Sequence, residues 1–430
     1  MEFQMLSRPR VALAVACMAL LPTSHRLTAW PPAIALDPIK APATSPSAQA
    51  PSTTSEGYGN TLTGDWFGWR NKLADHGVSL AGEAINDGSW NLLGGKSTRK
   101  FISRARMTLG LILNTRQFSG WPGGQLHASI RFHFGPNGND QQLGSIQGFS
   151  FIDDAPPATQ LYEFYYRQRF FDGQWSVRVG TMDANNIFDI PVDASDFANP
   201  SATDAPLYLQ NAPPFTAPGL VVTWHAARRT TLIAGAFYND RFHPTALAAM
   251  LNTLEPVNQP VGTFFTAELD QAYGLGSRMP GVVGIGGFWR TGKLPTLDGG
   301  FQSGAGGGYL FVDQTLWQSR HTIPRLAIFG NVTGNHPQVS EIDYSIQSGL
   351  LDIGPIPGRE DDKIGLGLDW AHISTLSQTP KPYELATECF YELACGHGIV
   401  LQPDIQYFIN TGGGVYADGL IALIRVSVNF

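Results

Sequence analysis

The stretch that decides the fold runs from Ile399 to Phe430: IVLQPDIQYFIN (399–410), TGGGVYADG (411–419) and LIALIRVSVNF (420–430). Two alternating segments flank a Gly-rich turn. In the last segment Leu420, Ala422, Ile424, Val426, Val428 and Phe430 share one face, and Ile421, Leu423, Arg425, Ser427 and Asn429 share the other. Side chains of a strand point alternately to opposite sides, so one face is apolar and one is mixed. In 399–410, Ile399, Leu401, Ile405, Tyr407 and Ile409 oppose Gln402, Asp404, Gln406 and Asn410. Segments of about ten residues, apolar outside and polar inside, are the mark of an outer-membrane barrel. A Phe on the apolar face of the last strand, here Phe430, is the usual ending that barrel-assembly machinery reads. A soluble sandwich hairpin would show the same two segments, so the rest of the chain has to decide.

It decides by repetition. In 103–113, Ala105, Met107, Leu109, Leu111 and Leu113 oppose Arg104, Arg106 and Thr108. In 125–134, Leu126, Ala128, Ile130, Phe132 and Phe134 oppose Gln125, His127, Ser129, Arg131 and His133. In 160–171, Tyr162, Phe164, Tyr166 and Phe170 oppose Glu163, Tyr165, Arg167 and Arg169. In 174–183, Trp175, Val177 and Val179 oppose Ser176 and Arg178, and in 363–374, Ile364, Leu366, Leu368 and Trp370 oppose Gly365, Gly367 and Asp369. Further strands are expected at 78–87, 218–226, 230–239, 263–273, 282–291, 308–318, 323–332, 340–348 and 384–394. The total is about sixteen, an even number as in bacterial barrels. A soluble protein would have to bury every one of these apolar faces. One closed sheet in lipid accommodates them all and leaves no edge. The expected fold is therefore all-β, a transmembrane antiparallel barrel.

Composition agrees. The chain has 430 residues, with 10 Trp, 13 Tyr, 25 Phe, 48 Gly and only 15% charged residues, which suits strands, tight turns and interfacial aromatics. The net charge of −7 argues against nucleic acid as a partner. Residues 1–35 read as an export signal, with Arg8 and Arg10 ahead of an apolar core at Val11–Leu21 and an A-x-A-like site at Ala33–Ala35; cleavage after Ala29 also fits. Residues 36–60, rich in Pro, Ala, Ser and Thr, read as a linker. Residues 61–77 carry Thr63 or Asp65 as a cap, Trp66, Trp69 and Leu73 at helical spacing, and Gly77 as a stop, which predicts a short periplasmic helix before a barrel over 78–430. Cys389 and Cys395 cannot bond if they lie on one strand, being roughly 20 Å apart, and could bond across a turn.

The polar faces place Arg104, Arg106, Arg131, Arg167, Arg169, Arg178 and Arg425 together with Glu163, Asp369 and Asp404. An Arg on the lipid face costs about 2–4 kcal/mol near the midplane, so these are expected in the lumen, as candidate pore-lining and solute-contacting residues. Forked Arg donors and carboxylate acceptors suit hydroxyl-rich solutes such as small sugars. The same charges could equally pair with one another and only wet the pore. Enzyme readings do not assemble. Asp153-Asp154 lies in a Pro-rich loop that it is expected to solvate, and His127 and His133 share a strand face but are six residues apart. Gly94-Gly95-Lys96-Ser97 fails as a phosphate loop because Trp90 occupies the first required Gly. No cofactor or metal is expected. Residues 135–159 and 183–218 are long and Pro- and Asn-rich, and are expected as external loops or as a loop folded into the lumen.

LTGDWFGWRNKLADHGVSLAGE (62–83) resembles the opening signature of carbohydrate-selective porins of the OprB type, with Leu62, Gly64, Asp65, Trp66, Gly68 and Arg70 in place and Phe67 where Gly is usual. LQPDIQYFINTGGG (401–414) resembles their second signature, with Thr411 replacing the usual Pro, and GTMDANNIFD (180–189) is similar to their central segment. The resemblance implies sixteen strands, periplasmic N-terminal residues and passive diffusion of mono- and small oligosaccharides; the strand pattern places the barrel in outer-membrane lipid, and both a monomer and a homotrimer fit the sequence. CGHG (395–398) departs from the family, interrupting the strand that runs into the second signature.

Overall fold

A strand in lipid needs every backbone N–H and C=O paired, and only closure of the sheet supplies this. A computed structural model describes residues 61–153, 157–203, 216–239, 262–274, 279–319 and 325–430. The expected export signal and linker lie outside the described residues. Sixteen strands follow in order: β1 (Val78–Leu93), β2 (Phe101–Asn114), β3 (Gly124–Phe134), β4 (Ala158–Phe170), β5 (Trp175–Met182), β6 (Ala217–Ala227), β7 (Thr230–Asn239), β8 (Gly262–Tyr273), β9 (Gly281–Pro295), β10 (Phe301–Gln318), β11 (Arg325–Gly334), β12 (Ile342–Ile353), β13 (Lys363–Ile373), β14 (Tyr383–Gly396), β15 (Ile399–Ile409) and β16 (Gly419–Asn429). Each is antiparallel to its chain neighbours, and β1 pairs with β16 to close the barrel.

All the expected segments are strands, with three instructive differences in extent. β1 runs six residues past the expected end, to Leu93, pairing Trp90 with Phe101 across to β2. β12 is displaced to 342–353. β10 starts at Phe301, seven residues before the expected 308, because the Gly-rich FQSGAGGG is strand: a side chain on Gly306 would meet the Trp289 ring at 2.7 Å. These glycines make room for aromatic rings of β9 lying against the backbone.

The outer wall carries Leu109, Phe164, Val179, Leu220, Leu269, Ile285, Leu310, Ile346, Leu366 and Ile405, all solvent-accessible in the isolated chain and so presented to lipid. Short joins such as Asp172-Gly173 and Arg228-Arg229 gather at one end, with α1 (Trp69–Asp75) and Phe430; the long loops gather at the other. Short turns mark the periplasmic end of such barrels. There His397 and Gly398 both have positive φ (52° and 74°) and form a two-residue hairpin turn. CGHG is therefore a tight turn and not a break in the signature. Cys389 and Cys395 lie on the continuous strand β14 and are unbonded.

The N-terminal segment corrects its expected packing. The helix starts at Trp69; Trp66 precedes it in a 3-10 turn, and Trp69 is exposed. Asp65 caps it, accepting from the Asn71 N–H at 2.9 Å and from Asn71 Nδ2 at 2.7 Å. The buried anchor is Arg70, which donates to Thr61 Oγ1 and the Gly64 carbonyl (both 3.1 Å) and to the Leu80 carbonyl on β1 (2.8 Å).

Candidate functional site

Register decides which charges meet. Asp87 on β1 faces Arg104 on β2 and Arg425 on β16, and Thr108 on β2 faces both Glu83 and Arg131. Arg425 clasps Asp87 with two N–H donors at 2.9 and 2.8 Å, both residues buried. Such a fork matches the carboxylate edge.

Four consecutive loop residues close over this patch. Ser150 donates to Asp87 at 2.6 Å. Two guanidinium groups approach the Phe151 ring, Arg106 at 4.9 Å and Arg425 at 4.1 Å from its centroid. The Ile152 carbonyl accepts from Arg104 Nε at 2.7 Å, and Asp153 sits 3.2 Å from the same nitrogen. Asp153 also accepts from the Gly138 and Asn139 N–H groups at 3.0 Å. Rather than solvating its loop, Asp153 is buried and holds it in place. Burial pushes its carboxyl up to about 6, against the opposing pull of those N–H groups and of Arg104.

The second long loop lines the wall. Carboxylates projecting inward from the sheet take its backbone N–H groups in succession: Glu163 takes Asp183 (3.1 Å), Glu268 takes Asp189 (2.7 Å), Asp313 takes Asp193 (2.8 Å), and Glu388 takes Ala198 and Asn199 (2.6 and 2.9 Å). Arg325 pairs with Asp193, and Lys363 with Asp196 at 2.6 Å. Ile187 and Phe188 of this loop bury themselves against Val221, Phe237, Phe264 and Phe288 on β6 to β9. Phe197 meets Phe329 and Phe390 edge-on, at 5.2 and 5.0 Å. The loops join each other where the Phe151 N–H donates to the Ala198 carbonyl at 2.9 Å. Both fold inward from the long-loop end.

The candidate residues thus divide. Arg104 and Arg106 on β2, Arg131 on β3 and Arg425 on β16 come together around β1, buried near the 145–153 segment; Arg131 lies over the Tyr162 ring at 3.3 Å. Asp369 and Asp404 are buried on β13 and β15, where Asp404 accepts from Gln406 at 3.0 Å. Glu163 is committed to the loop. Arg167, Arg169 and Arg178 stand apart, toward the periplasmic end, Arg169 exposed and Arg167 and Arg178 half-buried.

Tyr162 is a correction: alternation put it on the outer face, but a bulge opposite Ser129 and Ile130 turns it inward, where it hydrogen-bonds Asp183. Sequence reasoning also passed over Glu83, Asp87 and Phe151. The first two share the inward parity of β1, which the strand's own alternation could have shown. Phe151 lies in a loop without period and left no signal.

A family model described as carbohydrate-selective porin, OprB family, matches residues 98–430. The chain belongs to that family. Porin B of Pseudomonas aeruginosa is 21% identical over 418 residues, covering 86% of this chain and 91% of the relative. A high-pH structure of Pseudomonas putida OprB, 19% identical, covers 88% of this chain and 100% of its own, with a TM-score of 0.77. A low-pH structure of the same protein, 17% identical with the same coverage, has a TM-score of 0.59. At these identities the structures establish the sixteen-stranded barrel fold, and the family makes this OprB-family chain an outer-membrane porin for carbohydrates.

Proposed function

We propose that this porin passes small sugars such as glucose passively into the periplasm, and that its selective passage runs beside the patch where the 145–153 segment meets β1–β3 and β16. The observation that carries this is Phe151, packed against the Arg106 and Arg425 guanidinium groups, with Glu83 within electrostatic reach of both. An aromatic face and a carboxylate, fixed by buried arginines, offer a sugar ring one apolar surface and one acceptor. In this reading Arg104, Arg425 and Asp87 brace the loop, while Arg106, Arg131 and Glu83 shape the passage. Asp404 and Glu163 act on the solute through the wall they hold, and Asp369 through its carboxyl group on that wall beside Glu388. The chain is read as a channel without a catalytic step, delivered by an export signal and engaged at Phe430 by barrel-assembly machinery.

Single-channel conductance of the purified protein in planar bilayers tests it, with and without glucose and maltooligosaccharides. Saturable block by sugar is expected. Phe151→Ala should enlarge the current steps and weaken the block. Steps that no sugar blocks would leave a porin whose passage lies elsewhere.

A further inference from the structure

Arg167 on β4 stands directly opposite Arg178 on β5, with Arg169 one inward position nearer the periplasmic turn. Like charges directly opposite on a sheet destabilise it. Elsewhere on the inner wall arginines meet carboxylates: Arg425 with Asp87, Arg104 with Asp153, Arg325 with Asp193. Among the described residues none of these three arginines forms an ion pair. The nearest inward carboxylate on β4, Glu163, is turned to the backbone of Asp183 and to Asn186. Arg167 keeps one hydrogen bond, to the Gln125 side chain on β3, and the Nε atoms of Arg167 and Arg178 are buried without a hydrogen-bond partner. Beside them His127 and Tyr165 stack at 4.6 Å, 11° from parallel. The cluster therefore combines three positive charges without an ion pair, with Glu163 in electrostatic reach of Arg178 alone among them, forked donors and a flat ring surface in one partly accessible region of the lumen wall.

We propose that Arg167, Arg169 and Arg178 form an oxyanion subsite near the periplasmic mouth, taking the carboxylate or phosphate of an acidic sugar. The inference rests on the channel reading but not on glucose being the solute. An oxyanion shared between guanidinium groups relieves their repulsion and matches their donor geometry. The stacked His127–Tyr165 pair lies where the ring of the same solute would rest. A neutral sugar gains only the second of these contacts.

The test measures half-blocking concentrations in planar bilayers for glucose, gluconate, glucose 6-phosphate and inorganic phosphate. Gluconate should block at a concentration roughly tenfold below that of glucose, the difference made by one charge-assisted contact. Arg167→Gln/Arg178→Gln should bring the gluconate-to-glucose ratio to about one, while Arg167→Lys/Arg178→Lys retains part of the preference. Block by glucose 6-phosphate with inorganic phosphate inert identifies a sugar-borne anion as the ligand; block by inorganic phosphate as well identifies the oxyanion alone. A wild-type ratio near one, or a ratio unmoved in the glutamine variant while its channel steps persist, overturns the subsite. Gluconate block without glucose block would instead overturn the neutral-sugar reading and leave the subsite standing.

Discussion

At the scale of single residues, the Asp87–Arg425 clasp shows what a buried pair does in this barrel. Both partners are buried, Ser150 completes the carboxylate, and Phe151 covers the guanidinium. Removing one partner leaves an uncompensated charge, costing about 3–5 kcal/mol, whereas replacing both with apolar residues is often nearly neutral. Asp87→Leu should therefore lower the urea midpoint of the vesicle-embedded barrel sharply, and Asp87→Leu/Arg425→Leu should recover most of the loss. Phe67 is a second case. It is fully exposed and sits at φ 58°, a conformation that costs a residue with a side chain about 1–2 kcal/mol. Glycine adds about 0.5–1 kcal/mol of chain entropy to be lost on folding, so Phe67→Gly should still tighten the N-terminal segment slightly. Slower hydrogen exchange at the Asn71 N–H, which Asp65 caps, would show it. Alternation alone placed Arg425, Arg104 and Arg131 inward, because lipid forbids the other face. It could not place Tyr162, since one bulge residue inverts parity.

At the scale of elements, the strands were legible and the loops were not. A strand announces itself by period two; the 135–153 segment has no period, and its position comes from side chains on strands far away in sequence. Asp153 makes that seating depend on pH. Its carboxyl titrates at about 6 when seated, above the ordinary Asp value of about 3.9, because burial outweighs Arg104 and the N–H groups of Gly138 and Asn139. The seated loop thus binds more protons than the released loop between those two values. The stabilisation is fully present below the lower value and is lost as pH rises through the higher one. Raising the pH from 5 to 7 should cut the closed population's advantage by about tenfold. Hydrogen-exchange protection at Gly138 and Asn139, corrected for intrinsic rates, reads this directly. Asp153→Asn should flatten the dependence. Protection that rises with pH would mean that the Arg104 pair dominates instead.

At the scale of the whole molecule, everything depends on closure between β1 and β16, since an open seam would leave unpaired backbone groups in lipid. Phe430 finishes that seam. Its N–H donates to the Gly82 carbonyl at 2.9 Å, and the Gly82 N–H returns a bond to the Phe430 carbonyl at 2.8 Å. The Phe430 ring lies against Gly82, where any side chain would collide with it. Gly82, near the end of the first signature, is therefore a seat for the aromatic that follows β16, a contact the sequence shows only as two distant residues. Removing Phe430 deletes two backbone hydrogen bonds at the closing edge, each worth about 1 kcal/mol net. Phe430→Ala keeps both bonds and deletes only the ring. Refolding each variant into lipid vesicles, with no assembly machinery present, separates the two contributions. The deletion should close more slowly and unfold at lower urea than Phe430→Ala. In cells the order should tighten: if assembly machinery reads the aromatic itself, Phe430→Ala should reach the outer membrane as poorly as the deletion. Phe430→Ala that folds in vesicles like the wild type but assembles poorly in cells would assign the aromatic to recognition. Phe430→Ala that folds poorly in vesicles but assembles in cells like the wild type would assign it to the seam alone.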